Sequence, residues 1–334
     1  MMKNSTKMSF TLMMILSTIM VTSSNNWMNM WMGMEINMMS FIVIMFNSKN
    51  NFLSQSSMMY FLTQSMASIM FIMMMMMFNF NIIKMEKTIM SNIMMMTMMI
   101  KMGSPPFHFW FPNIMNKTNW MTCMLMSTWQ KVAPMYVMSQ MMTDSYMMIM
   151  IIITNVITGA LMGLNHTSTR MIMAYSSITH TGWMMSCMLS NKKSWLMYMA
   201  LYSLLMMSVC MMMYKYNIMH INQMNLKNMY PYEKITLLIM MMSMGGMPPF
   251  LGFLPKWIAL ENMIHLSKMP LLMVMMMSSL LTLSYYLRLV SSTSLMSMHS
   301  QKWMLMHEKN NPTTMYMLTI NMLLPVMLIL VNIN

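Results

Sequence analysis

The chain has 334 residues, of which 19 are Lys or Arg and 6 are Asp or Glu. At 7% charged and 57% hydrophobic, against about 25% charged for a soluble domain, it falls outside the soluble globular class and outside the disordered class. At roughly 20 residues per crossing the length accommodates about a dozen helices, so the expected fold is an all-α polytopic membrane protein.

Taken in chain order, apolar runs separated by short polar stretches predict eleven spans: 8–24, 27–47, 55–78, 88–112, 119–141, 146–164, 169–190, 194–214, 234–262, 269–290 and 315–331. The first run follows Lys3 and Lys7 as a signal peptide would. It shows no evident small-residue cleavage site and further spans follow at once, so it reads as a retained helix. In the fourth span Gly103-Ser104-Pro105-Pro106-Phe107 is followed by Pro112, and in the ninth Gly246-Met247-Pro248-Pro249-Phe250 is followed by Pro255 at the same distance. Each Pro removes a backbone donor and crowds the preceding turn, so both spans are predicted to be broken helices, with Pro105, Pro106, Pro248 and Pro249 at the breaks. A single membrane domain then divides into two five-helix repeats, approximately 8–141 and 146–290, and a last helix at 315–331. An odd number of spans per repeat inverts one against the other, an architecture of transporters in which discontinuous helices border a midplane site.

Subtracting loop charges leaves Glu35, Lys101, Lys131 and Lys256 inside spans, with Glu261 and Arg288 near span ends. Each costs roughly 2.5–3.5 kcal/mol at the bilayer centre on insertion scales, which makes such residues functional candidates. Lys101 lies one turn before the first break, Lys131 is mid-span beside Pro134, and Lys256 follows Pro255 directly. A buried ammonium is disfavoured by desolvation and restored by a nearby carboxylate. A proton relay is therefore expected in which a Glu35–Lys101 ion pair holds one end, Lys131 the centre and Lys256 the exit, with coupled titrations. Plainer readings stand beside it: Lys101 and Lys256 as snorkelling lysines at helix ends, and Glu35 as a static partner for a neighbouring subunit's lysine. Arg288, after Tyr285 and Tyr286, reads as an interfacial anchor and Glu261 as an interfacial cap. His108, just past the first break, and His180, in the polar run 175–181, are candidate extensions of the relay or neutral hydrogen-bonding imidazoles.

His166, His220, His265, His299 and His307 fall in or near loops, and no His pair has metal-ligand spacing with acidic partners, so no metal site is expected. A G-x-G-x-x-G, a P-loop, a Cys cluster and a facing His pair are all absent from the sequence. No cofactor site or redox site is expected in this chain. Cys123, Cys187 and Cys210 lie in apolar runs and read as buried thiols.

The formal charge of +13 comes from basic residues scattered singly, which suits loops of a membrane protein and not a nucleic-acid surface. The 76 Met often stand where Ile or Leu would serve. Helices tolerate Met, yet tolerance is not a cause; an A+T-rich genome that reads AUA as Met accounts for it, and such genomes belong to animal mitochondria. Loops on the N-terminal side hold ten basic residues (Lys3, Lys7, Lys49, Lys117, Arg170, Lys215, Lys227, Lys234, Lys302 and Lys309), and the opposite loops five (Lys84, Lys87, Lys192, Lys193 and Lys268). The positive-inside rule then puts the N-terminus in the matrix and the C-terminus in the intermembrane space.

Four segments carry a family resemblance. They are Lys101-Met102-Gly103-Ser104-Pro105-Pro106-Phe107-His108-Phe109-Trp110-Phe111-Pro112, Thr128-Trp129-Gln130-Lys131-Val132-Ala133-Pro134, Ala174-Tyr175-Ser176-Ser177-Ile178-Thr179-His180-Thr181-Gly182-Trp183, and Gly245-Gly246-Met247-Pro248-Pro249-Phe250-Leu251-Gly252-Phe253-Leu254-Pro255-Lys256-Trp257. In order and over essentially the whole chain, they resemble the chain 2 family of mitochondrial NADH:ubiquinone oxidoreductase, respiratory complex I, with a Met bias that fits an insect version. Relatives usually carry Gln at the position of His166 and often Lys at that of Met171, departures outside the relay. The resemblance implies an antiporter-like core subunit of the membrane arm, part of an H+-translocating NADH:ubiquinone reductase. It implies proton translocation across the mitochondrial inner membrane, driven by NADH oxidation and ubiquinone reduction in other subunits that hold FMN and the iron–sulfur clusters. The roles implied are Glu35 as acidic partner, Lys101 as first-break lysine, Lys131 as central lysine and Lys256 as exit lysine. The partners implied are other membrane-arm subunits, including neighbouring antiporter-like chains, and lipids such as cardiolipin, with no nucleic acid. The competing class is a structural membrane-arm subunit without its own proton path; an autonomous cation/proton antiporter is disfavoured because the spans lack an Asp pair.

Overall fold

Inside a membrane helix a Ser or Thr hydroxyl can return to the carbonyl three or four residues back, which satisfies the side chain without water. The helices here use that device throughout: Ser17 donates to the Met14 carbonyl at 2.8 Å, Ser56 to Leu53 at 2.8 Å, Thr97 to Met94 at 2.6 Å and Ser177 to Ala174 at 2.7 Å. The computed structural model describes residues 4–48, 50–79, 87–142, 146–191, 193–226, 231–296, 318–319 and 321–322. Among them the secondary structure is helical, apart from an isolated β-bridge between Ser168 and His220. Most of the eleventh predicted span, 315–331, lies outside the described residues. So do Lys3, Lys49, Lys84, Lys192, Lys227, Lys302, Lys309, His299, His307 and the side chain of Lys87.

Two compact units divide the chain, Met1–Asn155 and Val156–Asn334. The first contains α1 (Asn4–Ser23), α2 (Trp27–Met45), α3 (Asn51–Asn79), α4 (Lys87–Met102), α5 (Trp110–Lys117), α6 (Trp120–Ser127) and α7 (Trp129–Met141). The boundary falls within α8 (Tyr146–Leu164), and the second unit continues with α9 (Thr169–Ser190), α10 (Ser194–Tyr216), α11 (Gln223–Leu226), α12 (Pro231–Gly245), α13 (Phe253–His265) and α14 (Met269–Met296). Five helices among the described residues, α1, α3, α8, α10 and α14, are long and apolar enough to cross a membrane by themselves. In the second unit α9 is buried at every position from Ile172 to Leu189, and α10, α13 and α14 pack on it. Met serves on both sides of the helices: Met95, Met98 and Met99 are buried, whereas Met66, Met73 and Met277 are exposed.

The helices α8 and α9 have the bounds predicted for the sixth and seventh spans. The predicted fifth span, 119–141, is instead two helices, α6 and α7, that meet at Thr128 with φ −111° and ψ −75°. There the Thr128 hydroxyl bonds the Met124 carbonyl at 2.6 Å, a back-bond of the kind that bends helices. Pro134, one turn past Gln130, cannot donate to its carbonyl.

The fourth and ninth spans are interrupted as expected, and by the same local chemistry. At the end of α4, Gly103 has φ +67°, its N–H bonds the Ile100 carbonyl at 3.2 Å, and the Ser104 N–H reaches back to Met99 at 3.1 Å. At the end of α12, Gly246 has φ +80°, its N–H bonds the Ser243 carbonyl at 3.0 Å, and the Met247 N–H reaches Met242 at 3.3 Å. Both are Schellman caps, which place Gly in the left-handed region because a Cβ is disfavoured there. Past each break the chain re-enters a helix with Pro112 or Pro255 as its third residue, inside the first turn where an N–H has no intrahelical partner to lose.

Candidate functional site

In the first unit, α2, α3, α4 and α7 enclose a cavity of ≈ 10 Å³ lined by Asn37, Tyr60, Gln64, Lys101, Gln130 and Pro134, among others. That is room for about one water centre. Its polar side chains are linked: the Tyr60 hydroxyl donates to Gln130 Oε1 at 3.1 Å, and Gln130 Nε2 donates to Asn37 Oδ1 at 3.3 Å. Lys101, in the last turn of α4, is 6% exposed. Its carbonyl would bond the N–H of residue 105 in a continuous helix, but that residue is Pro105; Gln64 Nε2 on α3 takes the carbonyl instead, at 2.9 Å. The Lys101 ammonium rests on Met34 Sδ at 3.9 Å.

Glu35 follows Met34 on α2. Its Oε1 is buried without a hydrogen-bond partner among the described residues. The structure thus brings the two predicted partners onto neighbouring helices but leaves the expected ion pair open, with the Met34 thioether against the ammonium. Lys131, on α7, is 2% exposed, and its Nζ lies 5.0 Å from the Phe111 ring centroid on α5, a cation–π distance.

In the second unit Lys256 is 5% exposed, in the first turn of α13. Its Nζ donates to the Gly245 carbonyl at 2.8 Å, the group that would accept the N–H of residue 249 if that residue were not Pro249. The ammonium also lies 5.9 Å from the Trp183 ring centroid on α9. One turn earlier on α9, His180 Nδ1 is hydrogen-bonded to the Tyr198 hydroxyl at 2.9 Å, with the Tyr202 ring 4.8 Å away.

A helical, largely apolar chain with buried lysines at its Gly-x-Pro-Pro breaks can be set beside known proteins. Residues 24–282 match the family described as NADH:quinone oxidoreductase/Mrp antiporter, transmembrane. The chain belongs to this family. Within it, the chain is 39% identical over 317 residues to NADH-ubiquinone oxidoreductase chain 2 of Anopheles gambiae, covering 93% of each protein. It is equally 39% identical, over the same coverage, to NADH-ubiquinone oxidoreductase chain 2 of Aedes aegypti. Its fold matches a chain in the structure of respiratory complex I from Thermus thermophilus with a TM-score of 0.81 at 18% identity, over 95% of this chain and 78% of that one. As an antiporter-family chain related to these complex I subunits, it is an integral membrane protein of the respiratory-chain class.

Other charged groups of this antiporter-family chain hold its helix ends. Arg288, expected as an interfacial anchor, donates to the carbonyls of Leu164 at 2.5 Å and His166 at 2.9 Å, and so caps the C-terminus of α8 with a cation. Burial, followed by the Arg288 charge, lowers the pKa of the loop residue His166 below the ordinary imidazole value. His108 stacks on Phe109 at 4.3 Å beside the first break. Glu261 is exposed on α13. Cys123, Cys187 and Cys210 are buried thiols, as expected.

Sequence reasoning missed two features. Glu233, fully buried in the first turn of α12, binds Lys215 Nζ at 2.5 Å and the Tyr216 hydroxyl, both from the end of α10. In the sequence Lys215 reads as a loop residue, and only the packing of α10 on α12 reveals its partner. The amides Gln64 and Gln130 carry no charge to single them out in the sequence; a polar side chain in mid-span is the available signal.

Proposed function

We propose that this chain is a proton-translocating, antiporter-like core subunit of the membrane arm of mitochondrial NADH:ubiquinone oxidoreductase, with Glu35, Lys101, Lys131 and Lys256 as its titrating stations. The observation that carries the reading is the seating of the lysines. Lys101 and Lys256 are buried at the two Gly-x-Pro-Pro breaks and Lys131 beside Pro134, where a fixed charge is costly and a transferable one is useful. A proton on one station raises the cost of charging the next, and a change of partner shifts proton affinity without large helix movement. His180, bonded to Tyr198, extends the second unit's station, and His108 does the same at the first break in this reading.

NADH oxidation and ubiquinone reduction belong to other subunits in this reading, together with their FMN and iron–sulfur clusters; this chain holds no redox centre. It crosses the mitochondrial inner membrane eleven times in two inverted five-helix repeats and a last helix, with the N-terminus in the matrix and the C-terminus in the intermembrane space. Neighbouring antiporter-like chains and lipids such as cardiolipin cover its lipid-facing helices. Replacing Lys131 by Met in the assembled complex tests the function. Proton output per NADH is expected to fall at least twofold with assembly intact. Unchanged output would leave the chain a structural subunit of the arm.

A further inference from the structure

Glu233 is a buried carboxylate to which the relay gives no part. It sits in the first turn of α12, where its Oε1 accepts Lys215 Nζ at 2.5 Å and its Oε2 accepts the Tyr216 hydroxyl, both from the end of α10. At the other end of the same helix the Gly245 carbonyl accepts Lys256 Nζ at 2.8 Å. Between these two ties α12 buries Leu237, Met240, Met241 and Met244. Its buried hydroxyls bond back to its own carbonyls, Thr236 to Glu233 at 2.9 Å and Ser243 to Met240 at 2.7 Å. Apolar packing is non-directional and methionine adapts to a displaced neighbour, so this stretch fixes the position of α12 along its axis only weakly. A buried ion pair adds little net stability over apolar residues of similar volume, and its clearest use is to fix register.

The far side of the pair is itself tied down. The Thr169 N–H at the start of α9 donates to the Met219 carbonyl at 3.0 Å, and the Ile221 N–H donates to the Thr167 carbonyl at 3.1 Å, which joins the chain just past α10 to α9. The same α9 carries Trp183, whose ring centroid lies 5.9 Å from Lys256 Nζ. We propose that Glu233 is a positioning residue for Lys256: held by Lys215 and Tyr216, it fixes the register of α12 against α9 and α10, and so sets the Gly245 carbonyl where the ammonium meets it and Trp183 at once.

This inference rests on the proton-relay reading, and the test separates the two. Proton output per NADH is measured against pH in assembled complex carrying either Lys215→Met together with Glu233→Met, or Lys256→Met alone. The double replacement leaves the net charge unchanged and puts apolar side chains where the pair was, so the complex is expected to assemble. Its proton output is expected to fall at least twofold at neutral pH. The pH profile is expected to move toward lower pH by about half a unit or more, because a charge-assisted bond to a carbonyl favours the protonated amine. An unmoved profile, whether or not output falls, would overturn the positioning role while leaving the relay standing. Unchanged output in Lys256→Met would overturn the relay and this inference with it. If the double variant fails to assemble, Tyr216→Phe removes one grip on the carboxylate and no charge; a smaller shift in the same direction supports the role, and an unmoved profile overturns it.

Discussion

The first and second breaks share one sequence signature and one pair of Schellman caps, yet they close on different atoms. At the first, the Ile100 carbonyl accepts the Trp110 indole N–H at 3.2 Å and the Lys101 carbonyl accepts Gln64. At the second, the residue in the place of Trp110 is Phe253, which has no donor, and Gly252 brings its backbone directly against the Ser243 carbonyl. The first break is therefore closed by side chains, one of them from α3, and the second by its own backbone and its own lysine. Equal motifs guarantee equal deficits; the neighbours decide which group makes each deficit good, and with it how tightly the nearby lysine is held.

The largest expected effect comes from the closest approach. A Cβ on Gly252 would lie 1.7 Å from the Ser243 oxygen, a clash of backbone with side chain that no rotamer relieves. Gly252→Ala should cost about 3 kcal/mol or more and deplete assembled complex, measured as a lowered melting temperature and yield. Its counterpart at the first break, Phe109, is 67% exposed, and Phe109→Ala should cost less than about 1 kcal/mol. Equal stability of the two variants would mean that the second break does not close on its own backbone.

A sharper contrast comes from the two cap glycines. Ala at either position carries a left-handed strain of about 1–2 kcal/mol. At Gly103 the added Cβ would meet Phe111 Cβ at 2.6 Å, an atom tied to the backbone of α5; at Gly246 it would meet Lys256 Cδ and Nζ, each at 2.8 Å, the movable end of a long side chain. Gly103→Ala is thus expected to be the less stable of the two. Gly246→Ala is expected to be the one that displaces the lysine from the Gly245 carbonyl and lowers proton output with more of the complex intact. Thermal stability and proton output measured on both variants check the crossing; the same ranking on both scales would remove it.

How much of this was legible in the sequence follows from the physics of each feature. The bounds of α8 and α9, the two interruptions and the burial of Lys101, Lys131 and Lys256 were readable because hydropathy, proline and intramembrane charge act locally. Gln64 was not, since its partner is a carbonyl made available by a proline on another helix, and neither half of that pairing is unusual alone. Thr128 looked like any mid-span threonine, yet its hydroxyl and the downstream Pro134 together split the fifth span. Opposite charge made Glu35 and Lys101 a natural pair, but charge does not specify that Met34 would stand against the ammonium.

The smallest effect tests whether the first break behaves as separate bonds or as one unit. Trp110→Phe keeps an aromatic ring beside Tyr60, whose centroid is 6.1 Å from that of Trp110, and removes the indole donor, giving the first break the residue that the second has at that position. The Ile100 carbonyl retains the Gly103 N–H at 3.2 Å, so it is not orphaned, and the loss should be one neutral hydrogen bond, about 1 kcal/mol, seen as a small drop in melting temperature. Because the Lys101 carbonyl is held independently by Gln64, proton output per NADH and its pH profile should not move. A shifted profile in Trp110→Phe would mean that the carbonyls of Ile100 and Lys101 are coupled, and that the lysine responds to the whole cap.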